Sequence, residues 1–227
     1  MKPQFSPSLM CMDFLEVGAS IETLDTRCDC YHADVMDGHF VPNFALSPDF
    51  LRAFCAAAGR ETVCHLMVTD PGAYLEPLAK AGVGTLCVHA ETVWRDAFRV
   101  LQAIRTLGCK TGLVLCPATP LSAVYPLLGH IDRLTVMTVD PGFAGQRFIP
   151  EMLDKLREAR DYKREHGCRF VLEADGSCNA GTYRALCAAG TECFVVGTSG
   201  LFSLDKDLGR AWEKMESDFA AAVGGRD

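Results

Sequence analysis

Short apolar runs alternate with amphipathic stretches along the whole chain. The runs Phe5–Met10, Cys30–Met36, Thr62–Val68, Gly84–His89, Thr111–Cys116, Arg133–Val139, Arg169–Ala174 and Glu192–Val196 read as β-strands. Between them, Pro48–Ala58, Pro71–Ala81, Trp94–Leu107, Pro150–His166 and Ala180–Ala189 carry the apolar spacing of helices, and a last helix is predicted over Leu208–Ala222. Leu113-Val114-Leu115-Cys116 and Phe194-Val195-Val196 are apolar throughout, as strands covered on both faces are. Eight strands separated by helical stretches predict parallel pairing through crossovers. In 227 residues they suit a closed (β/α)8 TIM barrel of the α/β class. An open doubly wound sheet would carry a glycine-rich turn after its first strand, whereas this one runs into Cys11-Met12-Asp13. With no linker or shift in composition, residues 1–227 read as one domain.

Composition narrows the class. The chain is 49% hydrophobic and 22% charged, as ordinary globular proteins are. No apolar run reaches the roughly 18 residues of a membrane span, and Met1–Pro7 lacks the apolar core of a signal peptide. These features predict a cytoplasmic protein with no membrane association. A net charge of −7 with scattered Lys and Arg argues against nucleic acid as a partner. The twelve cysteines include a C-x-C at Cys28 and Cys30, but Cys64, Cys87, Cys116 and Cys193 each stand alone in a β-like run. They read as free thiols packed as small hydrophobes in a reducing compartment, because the spacings of structural zinc sites are missing.

Polar residues gather at strand ends, where barrels of this kind build their sites. Ser8 falls in the first strand, His32 and Asp34 near the end of the second, and His65 with Met67 in the third. His89 ends the fourth, and Met137 precedes Asp140-Pro141-Gly142-Phe143-Ala144-Gly145-Gln146. Asp175-Gly176-Ser177 ends the seventh and Gly197-Thr198-Ser199-Gly200 the eighth. On a strand, residues i and i+2 share a face, so His32 and Asp34 lie side by side.

Three kinds of chemistry follow. His32, Asp34, His65 and Asp175 form a mixed nitrogen and oxygen set suited to one divalent ion: zinc, iron, manganese or cobalt. Any one of the histidines alone would read as a hydrogen-bonded core residue; their grouping favours a metal. Asp34 and Asp175, from strands on roughly opposite sides of the barrel, could flank a substrate and move a proton on and off its two faces. The glycine turns Gly142–Gly145, Gly176-Ser177 and Gly197–Ser199 could bring backbone amides to an anion such as phosphate.

Asp34-Val35-Met36-Asp37-Gly38-His39-Phe40-Val41-Pro42-Asn43, His65-Leu66-Met67-Val68 and Pro141-Gly142-Phe143-Ala144-Gly145-Gln146 resemble signatures of the ribulose-phosphate 3-epimerase family, and the likeness runs over nearly the whole chain. The resemblance implies a (β/α)8 barrel that inverts the carbon beside the ketone of a ketose phosphate, using one divalent metal. It implies His32, Asp34, His65 and Asp175 as ligands and Asp34 and Asp175 as the acid/base pair. Ser8 and His65 would contact substrate, and Met36, Met67 and Met137 would line the reacting centre. Gly142, Phe143, Ala144 and Gly145, with Gly176, Ser177, Gly197, Thr198 and Ser199, would form the substrate and phosphate loops. The family also implies a homo-oligomer, a dimer or hexamer.

Four strand ends depart from the commonest pentose-phosphate pattern: Ser8-Leu9-Met10-Cys11-Met12-Asp13, Val139–Gly145, Asp175–Asn179 and Gly197–Phe202. All four resemble the hexulose-phosphate branch of the family, whose substrate pair is D-allulose 6-phosphate and D-fructose 6-phosphate. The expected activity is therefore that hexulose epimerisation, with ribulose 5-phosphate to xylulose 5-phosphate as the alternative. A metal-free lyase or decarboxylase would need a lysine near a strand end, while Lys80, Lys110 and Lys155 fall in helices or at strand beginnings. A non-catalytic sugar-phosphate-binding barrel would bury these carboxylates with nothing to offset the cost.

Overall fold

The computed structural model of the protein describes residues 2–224, so Met1 and residues 225–227 of the expected single domain lie outside it. Its eight strands are β1 (Gln4–Pro7), β2 (Tyr31–Met36), β3 (Thr62–Met67), β4 (Thr85–His89), β5 (Lys110–Leu115), β6 (Arg133–Met137), β7 (Val171–Asp175) and β8 (Cys193–Val196). Every ladder between neighbours is parallel. They form one sheet in the order β1-β8-β7-β6-β5-β4-β3-β2. Its two ends, β1 and β2, meet at a single parallel bridge between Ser8 and His32, which closes the ring.

The helices are α1 (Val17–Leu24), α2 (Pro48–Ala57), α3 (Gly72–Lys80), α4 (Ala90–Val93), α5 (Ala97–Thr106), α6 (Met152–Glu165), α7 (Tyr183–Ala189) and α8 (Leu208–Gly224). The stretch between β5 and β6 departs from this pattern. Leu121–His130, which contains Pro126, winds as 3-10 turns. The first strand also ends earlier than its apolar run. Past Pro7 the chain tightens into a 3-10 turn, Leu9–Cys11, and the Cys11 amide donates to the Ser8 carbonyl at 3.1 Å.

Period-two alternation sorts the strand side chains into two layers. Tyr31, Ala33, Val35, Cys64, Leu66, Leu134, Val136, Leu172 and Ala174 pack outward in the large core between sheet and helices. Cys30, Val63, Cys87, Val114, Met137 and Cys193 fill the barrel interior. Above them Met36, Val41 and Met67 form a separate small cluster. All twelve cysteines are free thiols, seven of them buried. No helix among the described residues is long and apolar enough to cross a membrane.

Candidate active site

The alternation that sends Tyr31 and Ala33 outward sends His32 and Asp34 into the barrel. The parallel register sets Asp34 beside His65 on β3 and Met36 beside Met67. Asp175 is the last residue of β7, level with Met137 on β6. Going round through β1 and β8, Asp34 and Asp175 stand three strands apart, yet their side chains converge on the same pair of histidines.

His32 Nε2 lies 3.2 Å from Asp34 Oδ1 and 3.3 Å from Asp175 Oδ2. His65 Nδ1 lies 3.3 and 3.4 Å from the same two oxygens. All four groups present an atom within 4.8 Å of the others. His65 Nδ1 is buried and has no hydrogen-bond partner, although it is aimed at both carboxylates. Donors that share one ion through bonds of about 2.0–2.1 Å can lie about 3.3–3.4 Å apart. The observed N···O edges of 3.2–3.4 Å fit that spacing, and the donor set suits a divalent ion.

The electrostatics are those of a tightly paired cluster. Burial alone would push the His32 pKa down, but the charges of Asp34 and Asp175 outweigh it and hold that ring well above its ordinary value. For His65 burial is again overcome, by the same two carboxylates at 3.3 and 3.4 Å. Burial would raise Asp34 and Asp175; the imidazoles, His32 foremost, pull both below the usual carboxylate range. The four side chains thus demand opposite charge at one point, whether from protons on the imidazoles or from a cation.

A cavity opens above the cluster. Ser8, Asp34, Met36, Met67, Met137, Asp175 and all the expected loop residues from Gly142 to Gly145, Gly176-Ser177 and Gly197–Ser199 line it. His32 and His65 do not reach its wall and sit beneath, buried. Phe143 stands half-exposed at the mouth. Met10, Cys11, Val139, Asp140 and Gln146 also line the cavity, although none is among the expected metal, catalytic or substrate residues. Gly176, with φ +120°, passes so close to Val139 that an added Cβ would meet Cγ2 at 2.6 Å. Asp37 is not among the converging carboxylates. It belongs to the turn after β2, where Oδ1 accepts from the His39 and Phe40 amides and Oδ2 from the Thr69 amide, each at 2.8 Å.

The sequence profile of the Ribulose-phosphate 3 epimerase family matches residues 4–202. The chain belongs to the ribulose-phosphate 3-epimerase family. It is 37% identical over 199 residues to ribulose-phosphate 3-epimerase of Mycobacterium leprae, covering 88% of each chain. It is 36% identical over 201 residues to the cytoplasmic isoform of ribulose-phosphate 3-epimerase from Oryza sativa subsp. japonica, covering 86% of each. Among solved structures, KGPDC from Streptococcus mutans superposes with a TM-score of 0.72 at 12% identity, covering 97% of this chain and 98% of that one. That likeness is one of fold, the TIM barrel. Family membership makes the protein an epimerase, an isomerase-class enzyme acting on a small phosphosugar.

Beneath the site of this ribulose-phosphate 3-epimerase family member lies a second tier of polar side chains. Glu173 is two residues before Asp175 and points into the barrel, where Arg133 and Thr135 donate to its carboxylate. Its Oε1 is 3.9 Å from His32 Nδ1. His89 Nε2 lies 2.8 Å from His65 Nε2. The spacing rule that found His32 and Asp34 also marks Glu173, since residues i and i+2 of a strand share a face.

Proposed function

We propose that this chain is a metal-dependent 3-epimerase of a ketose phosphate, in which Asp34 and Asp175 exchange the proton at C3. The observation that carries this reading is the convergence of two carboxylates from β2 and β7 on one pair of buried histidines at the cavity floor. His32, Asp34, His65 and Asp175 would hold one divalent ion; zinc, iron, manganese and cobalt all suit the donors. Bound there, such an ion supplies Lewis acidity for the negative charge that develops when C3 loses its proton. Asp34 takes the C3 proton on one face of the sugar and Asp175 returns one on the other, the roles reversing with direction. Ser8 orients Asp34 through the free carboxylate oxygen. Met36, Met67 and Met137 give the reacting carbons a polarisable wall with no exchangeable protons. The glycine loops at the mouth would receive the phosphate.

The curated relatives favour ribulose 5-phosphate and xylulose 5-phosphate as the substrate pair. One observation favours a hexulose 6-phosphate instead, the pair D-allulose 6-phosphate and D-fructose 6-phosphate. Cys11, Asp140, Ala144, Ser177, Cys178, Thr198 and Ser199, all in the four variant strand ends, line the same cavity. Comparing kcat/KM on both sugar phosphates separates the two. A higher value for ribulose 5-phosphate supports the first pair, a tenfold preference for allulose 6-phosphate replaces it, and no turnover of either sinks the epimerase reading. The free thiols and the cytoplasmic rice relative support a cytoplasmic location, and the family resemblance supports a dimer or hexamer.

A further inference from the structure

A histidine can ligate a metal only through a nitrogen that carries no proton, and the other nitrogen decides which one that is. His65 turns Nδ1 to the carboxylates and Nε2 to His89 Nε2, 2.8 Å away. Two ring nitrogens at that distance share one proton. If His65 Nε2 holds it, Nδ1 is a lone pair facing the cluster. If His89 Nε2 holds it, neutral His65 carries its proton on Nδ1 and cannot ligate there.

The structure assigns that choice to Glu91: we propose that Glu91, acting through His89, is a positioning residue that keeps the His65 Nδ1 lone pair available to a divalent cation. This rests on the metal centre proposed above. Glu91 Oε2 is 3.1 Å from His89 Nδ1, and an ionised carboxylate can only accept. His89 therefore carries its proton on Nδ1, leaving Nε2 as an acceptor for the His65 Nε2–H. The second neighbour of His89 Nδ1, Cys116 Sγ at 3.4 Å, can also accept. Glu91 is itself held by its other oxygen, which accepts from the Cys116 amide at 3.0 Å and from the Thr119 hydroxyl. The His89 ring is fully buried under Phe40, with centroids 4.5 Å apart, so it has little room to turn over. The proton order then runs one way, from His65 to His89 to Glu91.

In Glu91→Gln the amide NH2 can donate to His89 Nδ1, which reverses both hydrogen bonds and places the neutral His65 proton on Nδ1. The test is Co2+ binding to the full chain by equilibrium dialysis, with the visible spectrum of the Co2+ form and the melting temperature of the metal-free protein. Glu91→Gln should weaken Co2+ binding by about 10- to 100-fold and alter the d–d bands, while the metal-free melting temperature stays that of the parent. Glu91→Asp should recover part of the loss. Parent-like affinity and spectrum in Glu91→Gln would overturn the assignment, as would a loss of affinity that only follows a lowered melting temperature. Should Glu91→Gln fail to fold, His89→Gln is read by the same criteria. A parent chain that binds no Co2+ overturns the metal centre itself, and this assignment with it.

Discussion

Ser8 donates a hydrogen bond to Asp34 Oδ2 at 2.9 Å, across the seam where β1 meets β2. The other oxygen, Oδ1, faces the two imidazoles. One carboxylate therefore serves two directions, and Ser8 fixes which oxygen looks down into the cluster. Ser8→Ala removes a hydrogen bond to a charged group, worth about 1.5–3 kcal/mol in typical cases. We expect kcat to fall by at least tenfold with metal content unchanged, as measured by steady-state kinetics and metal analysis. Unchanged kcat would mean that Asp34 needs no such support.

Asp34→Asn and Asp175→Asn should each retain sugar-phosphate binding and lose about 10^2- to 10^4-fold in epimerisation. In deuterated buffer, each variant should still wash deuterium into C3 of the epimer whose proton faces the surviving aspartate. Washout from both epimers in one variant would contradict the two-face scheme.

Chelation should abolish turnover, and adding back a divalent ion should restore it; full activity in a protein shown to be metal-free would rule out the role. The pH dependence has a definite sign. His32 and His65 have raised pKa values in the metal-free chain, so their contribution to stability is complete below the unfolded histidine pKa of about 6.5 and is lost as pH rises through the folded values. Metal binding displaces those protons and so strengthens with pH. The melting temperature gained on adding metal should therefore grow from pH 6 to pH 8, as followed by thermal denaturation. A gain that shrinks over that range would contradict the pairing.

His89 behaves in the opposite way. Burial, with help from the neighbouring His65, pushes its pKa down to about 4, although Glu91 pulls the other way. The unfolded chain binds that proton first, so stability falls as pH drops from about 6.5 towards the folded value. Thermal scans across this window should show a shallower acid slope in His89→Gln than in the parent.

Asn43 Nδ2 donates to the Gly142 carbonyl at 2.7 Å, tying the loop after β2 to the loop after β6 over the cavity mouth. A single neutral hydrogen bond contributes about 1 kcal/mol. Asn43→Ala should raise KM several-fold and leave kcat within about twofold, since Asn43 stands away from the reacting carbon. An equal fall in kcat alone would assign it a different role.

The barrel and the four converging side chains are legible in the sequence because both depend on period two. His32 and Asp34 announce themselves by sharing a face, His65 by interrupting an apolar run and Asp175 by following one. The seat of Ser8 is less legible: its apolar run continues to Met10, and only the tightening at Leu9–Cys11 brings the hydroxyl over Asp34. Leu121–His130 winds as 3-10 turns, whose period is not the roughly 3.6 residues that marks the other helices. Glu91 escapes notice because it reads singly as an ordinary charge, whereas Glu173 carries a signal in its i, i+2 spacing from Asp175. Only the structure shows that Glu91 reaches His65 through His89 and that Glu173 Oε1 lies 3.9 Å from His32 Nδ1, contacts that no spacing within one strand carries.

The seam at Ser8 and His32 also says something about how the chain is made. β1 has its full ladder only with β8, so a strand made earlier waits for one made much later before its hydrogen bonds are complete. Asp175 likewise arrives long after His32. A nascent or truncated chain would have one carboxylate near its histidines but no opposing one, and no barrel wall to hold them. The four-residue cluster is thereby incomplete until β7 has joined the sheet, and the closure that completes the barrel also completes the cluster.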